Sequence, residues 1–329
     1  MFLLGTTTII IFALVMFRKF FALPEQIILR ETSLQLDKWK NLQVVAATHP
    51  TSSTTSSGGS SDNSPLSDEE FQLLLQDHPG IFGFGQEGRE MMDSYIQELA
   101  NKQSDVLLME VGVWFGQSVA RWLNLSQSLK VVGVDPFRAP HKKHKSVQDI
   151  PDSLKNKFGT PRFNKAVAER YIASHSMMGT QRSALIEGYY PQAIDFWLEK
   201  RDRYPSLDIF YLDGGKAEDK EKHLKFVSDS LNLIAREFPN AALAGDDWSH
   251  GTHAYEFQSL VIDLAKRLGR GVYVSEKRTW IIPSPKIEKM TCSTELGRNE
   301  LTSAHEEEAQ VVCTLVNTPT SAKKKKATE

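Results

Sequence analysis

The segment from Val106 to Gly116 constrains the fold more than any other part of the sequence. It reads Val-Leu-Leu-Met-Glu-Val-Gly-Val-Trp-Phe-Gly, a nearly continuous apolar run that ends in a glycine-containing turn. Such a run is typical of a parallel strand that is covered on both faces. Because glycine has no Cβ, Gly112 and Gly116 permit a tight turn and a close approach of a ligand to the main chain. The segment therefore predicts a buried parallel strand, a turn and the start of a helix.

The region that follows alternates between strand and helix patterns. Further strands are predicted at 130–135, 183–187 and 241–247, and within 207–216, which also includes the residues that leave the strand. Helices are predicted at 162–178, 191–204, 217–238 and 255–268. Two short β segments, 272–274 and 279–282, are joined by a polar turn and predict a hairpin. The alternation predicts an α/β fold with a mostly parallel sheet and helices on both faces.

Acidic residues accompany the first two predicted strands. Glu110 precedes Gly112, and the spacing Gly-x-x-x-Gly differs from the Gly-x-Gly-x-x-Gly of dinucleotide-binding loops, which cradle a pyrophosphate. A carboxylate at the head of this loop would repel a phosphate but could hold an ammonium group. Asp135 ends the second strand, where α/β folds bind a ribose diol, because a carboxylate accepts two hydroxyl hydrogen bonds.

These residues resemble two motifs of the class I S-adenosylmethionine (SAM)-dependent methyltransferases. Glu110, Gly112 and Gly116 match the family's first motif, Glu/Asp-x-Gly-x-x-x-Gly, and Asp135 matches its ribose-binding acidic residue. The sequence Glu-Val-Gly-Val-Trp-x-Gly-x-Ser, followed by Gly-Val-Asp-Pro-Phe, is most similar to the small-molecule branch. That branch includes catechol O-methyltransferase-like enzymes and enzymes that modify sugars or antibiotics.

The resemblance extends over residues 86–283 and implies both a fold and a cofactor. The implied fold is a Rossmann-like methyltransferase fold, with a doubly wound, mostly parallel seven-stranded sheet that ends in an antiparallel pair. The implied cofactor is SAM, and Gly188 and Tyr189, which follow the third strand, are then expected near its adenine.

The carboxyl ends of the fourth and fifth predicted strands supply candidates for the transfer chemistry. Methyl transfer from a sulfonium is an in-line displacement, and a hydroxyl acceptor must also lose its proton to a base or to a metal that lowers its pKa. We expect Asp213, Lys216, Asp246 and Asp247 to meet at the same sheet edge as Glu110.

The resemblance leaves two versions of this site open. In catechol-type enzymes, Asp-x-x-Lys and Asp-Asn motifs bind magnesium and deprotonate the acceptor; Asp213, Lys216 and Asp246 match them, whereas Asp247 replaces the asparagine. Three carboxylates would suit Mg²⁺ or another hard cation. In the sugar and antibiotic branch the pattern is Asp-Gly-x-His, then Asp-Asp. Lys216 replaces that histidine here, so His250 or His253 is an alternative catalytic base.

Four regions follow one another along the chain. Residues 1–23 are mostly apolar and predict an uncleaved, single-pass transmembrane anchor, and residues 24–66 a juxtamembrane segment with a Ser/Thr-rich linker. Within the second region, 29–45 has apolar residues at helical spacing. Residues 67–285 are the predicted methyltransferase-like domain, which begins at a capping-box pattern of Ser67 and Glu70, and residues 286–329 a disordered tail.

The sequence leaves the membrane side of this domain open. Arg18, Lys19 and Arg30 follow the apolar segment, which places the domain in the cytosol by the positive-inside rule. Lumenal Golgi enzymes, however, have the same layout of an anchor, a Ser/Thr-rich stalk and a globular domain. We expect an endomembrane location in the ER or Golgi. The glycosylation sequon at Asn124 would be used only on the lumenal side.

Composition narrows the choice of partners and functions. The formal net charge of -2 gives no basis for nucleic-acid binding, which usually requires a basic face. Cys292 and Cys313 lie in the predicted tail and define neither a disulfide framework nor a metal site. The sequence predicts a membrane-anchored SAM-dependent methyltransferase that acts on a hydroxyl of a small molecule or a glycan, with Mg²⁺ as an optional cofactor. The alternative is a non-catalytic, membrane-tethered binding module with the same fold.

Overall fold

The computed structural model describes most of the central region of the chain. The described residues are 33–48, 66–77, 81–82, 88–138, 150, 152–158, 160–214, 219–248, 253–275, 278–287 and 313–317. The predicted anchor, residues 1–23, lies outside them. Within the described ranges, no helix has both the length and the apolar character needed to cross a membrane.

A single mixed sheet organises the described residues. Its strands are β1 (Val106–Val111), β2 (Leu129–Asp135), β3 (Ser183–Glu187), β4 (Ile209–Leu212), β5 (Ala242–Gly245), β6 (Val272–Ser275), β7 (Trp280–Ile282) and β8 (Cys313–Asn317). They lie in the order β3-β2-β1-β4-β5-β7-β6-β8. The first five strands are parallel to one another, β7 pairs antiparallel with β5, and β6 pairs antiparallel with β7. This confirms the predicted doubly wound, mostly parallel sheet with its terminal hairpin, and the order β3-β2-β1-β4-β5 is that of a Rossmann sheet.

The eighth strand is a departure from the predicted fold. The seven predicted strands are present, and β8 adds an eighth by pairing antiparallel with β6. Because β8 lies in the predicted disordered tail, the expectation of a tail without structure is wrong for Cys313–Asn317. Without this strand, β6 would be an edge strand with unpaired main-chain donors and acceptors. The pairing joins segments that are distant in sequence, so the local pattern gives no direct sign of it.

Helices cover both faces of the sheet. They are α1 (33–48), α2 (Asp68–Asp77), α3 (Glu90–Lys102), α4 (Gln117–Leu123), α5 (Asp152–Lys155), α6 (Pro161–His175), α7 (Gly179–Arg182), α8 (Asp195–Glu199), α9 (Lys220–Glu237) and α10 (Ala254–Leu268). Because side chains alternate along a strand, Leu107 and Met109 of β1 join the core under α1, α9 and α10, whereas Leu108 joins the core under α3, α4 and α6. This two-sided burial is what the apolar run of β1 predicts.

Helix α1 is part of the folded unit. Its Trp39, Leu42 and Ala46 are buried in the same core as the sheet, and the Trp39 indole donates a hydrogen bond of 2.9 Å to the Gln181 carbonyl oxygen. Leu34, which also fits the predicted apolar pattern, is exposed. The segment predicted to be juxtamembrane therefore packs against the α/β domain at its C-terminal half.

Two further elements test the predicted boundaries. The capping box is confirmed, because the Glu70 carboxylate accepts from the Ser67 main-chain N–H at 2.9 Å and the Ser67 hydroxyl accepts from the Glu70 N–H at 3.1 Å. The single helix predicted at 191–204 is instead three short pieces: a 3₁₀ turn at Gln192–Ile194, α8, and a 3₁₀ turn at Arg201–Arg203.

Candidate functional site

The candidate site lies at the carboxyl edge of the parallel strands. The strand order reverses between β1 and β4, and open α/β sheets bind ligands at such a switch point. The loops that leave these two strands touch at the switch point: a Cβ on Gly112 would lie 2.6 Å from the Asp213 carbonyl oxygen. With φ at +94°, Gly112 also has a conformation that side-chain-bearing residues rarely adopt.

Strained backbone is concentrated at this edge. Four residues other than glycine have positive φ angles in the described structure, and three of them lie in the loops that follow strands at the carboxyl edge. These are Trp114 after β1 at 53°, Phe137 after β2 at 49°, and Asp247 after β5 at 66°. Such conformations cost free energy and tend to occur where a ligand or a reaction requires a particular loop shape. Their distribution marks this edge independently of the sequence motifs.

Asp135 ends β2 and holds two of these strained loops together. Its Oδ2 accepts a hydrogen bond of 3.0 Å from the Trp114 N–H, and its Oδ1 accepts one of 2.5 Å from the Phe137 N–H. Burial raises the pKa of Asp135 to about 6, and these main-chain donors oppose the shift. Each carboxylate oxygen can accept a second hydrogen bond. Asp135 thus fits the predicted ribose role and, in addition, shapes the loops.

Glu110 is the buried carboxyl of β1. Its Oε1 accepts a hydrogen bond of 2.5 Å from the Ser118 hydroxyl, whereas its Oε2 is buried with no hydrogen-bond partner. Burial raises the pKa of Glu110 to about 8, which the Arg89 charge and the Ser118 hydrogen bond partly oppose. A buried oxygen without a partner is costly and calls for an explanation in a bound ligand or water. Its chemistry suits the ammonium group that the sequence analysis assigns to it, so the residues at β1 and β2 fit SAM.

The other predicted cofactor residues also lie near this edge. Gly116, at φ +84°, packs against α6, where a Cβ would lie 2.9 Å from an Ile172 side-chain carbon. Gly188, at φ +152°, leaves room for Ala193. Tyr189 is 56% exposed after β3, and the Arg138 guanidinium lies 5.5 Å from the centre of its ring. An exposed aromatic ring beside a guanidinium can stack against a planar base.

The carboxyl ends of β4 and β5 carry a different arrangement, centred on Arg89. This residue directly precedes α3, and its Nη2 donates hydrogen bonds to Asp213 Oδ2 at 2.7 Å and to Asp246 Oδ2 at 2.8 Å. The other oxygen of Asp246 accepts from the hydroxyls of Tyr211 and Thr279. Burial alone would lower the pKa of Arg89, but the acidic groups around it raise that pKa well above its usual value.

Arg89 is absent from the predicted site residues. Its only sequence signal is a charge beside the apolar face of a helix pattern, and such charges usually point to solvent. The predicted partners are brought together here, because Asp213 and Asp246 share one guanidinium nitrogen. Lys216 and His250, two other predicted catalytic residues, lie outside the described residues.

This arrangement does not fit the predicted Mg²⁺ site. The position between Asp213 and Asp246 is taken by the Arg89 guanidinium, and Asp247 has the strained φ noted above. In the described part of the chain, no group of three or more His, Cys, Asp or Glu residues could hold a metal ion. The described residues at β4 and β5 therefore do not fit a divalent metal. We refer to Glu110 and Asp135 as the β1–β2 half of the site, and to Arg89, Asp213 and Asp246 as the β4–β5 half.

Comparisons with known proteins found similar chains among solved structures. No protein-family model and no curated protein matches the sequence. Among solved structures, the chain is similar to the O-methyltransferase TomG from Streptomyces achromogenes, involved in tomaymycin synthesis and solved in complex with SAM, with 13% identity over 66% of this chain and 91% of that chain at a TM-score of 0.41. It is also similar to cofactor-bound Rv0187 from MTB, with 10% identity over 66% and 90% of the two chains at a TM-score of 0.42. The O-methyltransferase NovP matches with 11% identity over 59% and 78% at a TM-score of 0.40.

Proposed function

We propose that this chain is a SAM-dependent methyltransferase that acts on a hydroxyl group of a small molecule or a glycan. The observation that carries the proposal is the pair of carboxyl groups in the β1–β2 half, of which Glu110 is buried and Asp135 half-buried. Glu110 and Asp135 lie near the carboxyl ends of the adjacent strands β1 and β2, beside the switch point, and both retain the capacity to accept hydrogen bonds. An acceptor set of this kind suits an ammonium group and a ribose diol.

The roles of the residues follow from their positions. When bound, SAM supplies an electrophilic methyl group on a sulfonium. Glu110 holds the ammonium end, Asp135 holds the ribose, and Tyr189 stacks against the base. Asp213 is the described carboxylate of the β4–β5 half that reaches solvent, with 17% of its side chain exposed, and accepts the hydrogen bond of the acceptor hydroxyl. Because methyl transfer is an in-line displacement, the main contribution of these residues is to hold donor and acceptor in line.

The cellular setting is a second, separate part of the proposal. We propose that residues 1–23 anchor the protein in an endomembrane, as their apolar composition suggests. Localisation of the full chain fused to a fluorescent protein, compared with a chain that begins at residue 24, tests this. A membrane fraction that depends on residues 1–23 supports the anchor, and equal distribution of both chains contradicts it.

Calorimetric titration of SAM into the full chain tests the cofactor. We expect micromolar binding, and about a tenfold loss of affinity, equivalent to about 1.4 kcal/mol, in Glu110→Gln and in Tyr189→Ala. Glu110→Gln keeps the side-chain volume, and Tyr189 is exposed, so neither change removes a packed core group. Asp229→Asn, on the exposed face of α9, is the matched control and should bind as the wild type does.

The outcomes separate the candidate functions. Absence of SAM binding by folded wild-type protein would overturn the proposal. Tight binding without transfer of a labelled methyl group to any alcohol, phenol or sugar acceptor would favour the non-catalytic binding module instead.

A further inference from the structure

The β4–β5 half contains its own cation at the point where a metal would bind. A divalent ion shared by Asp213 and Asp246 would have to lie where their carboxylate oxygens converge. In this structure, Oδ2 of each residue converges on one nitrogen, Nη2 of Arg89, at 2.7 and 2.8 Å. The guanidinium and a metal ion therefore compete for one position.

Arg89 is held in this position from several sides. It is 3% exposed, and its guanidinium carbon lies 5.8 Å from the ring centre of Trp122 and 5.5 Å from that of Tyr211. Such contacts between a guanidinium and the face of an aromatic ring are attractive and become stronger when water is excluded. The side chain has no exposed stem along which it could swing into solvent to admit another cation.

The remaining charges in this half leave little demand for a second cation. Arg89 compensates one of the two carboxylate charges, and the second oxygen of Asp246 already accepts from the Tyr211 and Thr279 hydroxyls. A divalent ion added here would lie beside a permanently charged guanidinium, and like charges at contact distance repel strongly when water is excluded.

We infer that Arg89 takes the place of a divalent metal in this site and fixes the Asp213 carboxylate toward the acceptor. Arg89 is thus a positioning residue that acts through Asp213, and Asp213 is the group that meets the acceptor. The inference rests on the proposed function only in assigning this half to the acceptor. The exclusion of metal follows from the geometry alone and is tested without SAM.

Binding of Mn²⁺ to the full chain, followed by the loss of the electron paramagnetic resonance signal of the free ion, tests the inference. We expect no stoichiometric binding by wild-type protein or by Arg89→Lys, which retains a cation. Arg89→Met should gain one Mn²⁺ per chain with at least tenfold higher affinity than the wild type, and Mn²⁺ should raise its melting temperature. Arg89→Met/Asp213→Asn should lose that gain.

Two results would overturn the inference. One is stoichiometric Mn²⁺ binding by the wild type that Asp213→Asn removes. The other is a folded Arg89→Met protein that binds Mn²⁺ no better than the wild type. If Arg89→Met does not fold, Arg89→Gln replaces it, and the wild-type titration alone still decides whether the site excludes metal. A purely structural role for Arg89 would lower stability without creating a metal site.

Discussion

The two halves of the carboxyl edge hold their carboxyl groups in opposite ways. In the β1–β2 half, Glu110 and Asp135 receive hydrogen bonds from neutral groups, a hydroxyl and main-chain N–H groups. In the β4–β5 half, Asp213 and Asp246 receive theirs from the buried guanidinium of Arg89. At this edge of the sheet, the carboxyl groups of the β1–β2 half therefore have no directly bonded cation, whereas those of the β4–β5 half are bonded to Arg89.

This difference determines what each half can accept. Burial without a directly paired cation raises the pKa of Glu110 to about 8, so its carboxyl group is mostly protonated at neutral pH and can ionise when a cation arrives. Arg89 stays charged at every pH that the folded protein tolerates, because its pKa is raised well above the usual value. We conclude that the β1–β2 half is suited to receive a cationic ligand, whereas the β4–β5 half already contains a cation.

Removal of the built-in cation should have the largest effect. Arg89→Met leaves the buried Asp246 carboxylate facing the half-buried Asp213 carboxylate. Loss of one partner of a buried ion pair typically costs about 3–5 kcal/mol in the free energy of unfolding. Urea denaturation monitored by circular dichroism measures this cost. Arg236→Met is the control, since Arg236 is 69% exposed and pairs only at the surface, where such pairs contribute about 0–1 kcal/mol. Equal costs for the two variants would show that the Arg89 ion pairs contribute no more to stability than a surface pair does.

The second prediction concerns the point where the two halves meet. Gly112→Ala places a Cβ against the Asp213 main chain and keeps a left-handed φ. The conformation alone costs about 1–2 kcal/mol, and the overpacking adds about 1–3 kcal/mol. Gly269→Ala is the matched control, because Gly269 also has a positive φ but no atom within 4 Å of the added Cβ. The difference between the two variants in urea denaturation isolates the close approach of the loops, and no difference would contradict it.

Much of the fold follows from local sequence patterns, and the exceptions share a cause. β1, β2 and β5 are mostly apolar runs that end in, or are followed by, a glycine or a carboxylate, so both their type and the edge they point to can be predicted. β8 depends on pairing with β6 across a long separation in sequence, which no local pattern reveals. The broken helix after β3 shows a related limit, because periodicity indicates that Ile194 and Trp197 are buried without specifying the hydrogen bonds between them.

The candidate site divides in the same way. Glu110, Asp135, Asp213 and Asp246 can be predicted, because the carboxyl ends of parallel strands meet at one edge. Arg89 cannot, because it reaches that edge from the start of a helix, and only tertiary packing places it between two strands. Arg89 reverses the interpretation of the acidic residues around it. Three acidic residues in a sequence suggest a metal site, whereas two of them around a buried arginine do not.

The smallest predicted effect is a change in pH dependence. Glu110 has a folded-state pKa of about 8 against an ordinary value of 4.5, so between these values the folded protein keeps a proton that the unfolded chain has released. The free energy of unfolding should therefore fall as the pH rises from 6.5 to 7.5, by about 1 kcal/mol from this residue. Glu110→Gln cannot titrate and should show a flatter profile in urea denaturation at several pH values.

Two control variants complete this experiment, one at the surface and one in the β4–β5 half. Glu98→Gln, in an exposed pair on α3, should keep the wild-type slope. Asp213→Asn should lower stability without flattening the profile over this range, because the charge of Arg89 does not change there. Identical slopes in wild-type and Glu110→Gln proteins would mean that Glu110 is already ionised in the folded chain. A cation would then already compensate it, and the contrast between the two halves would disappear.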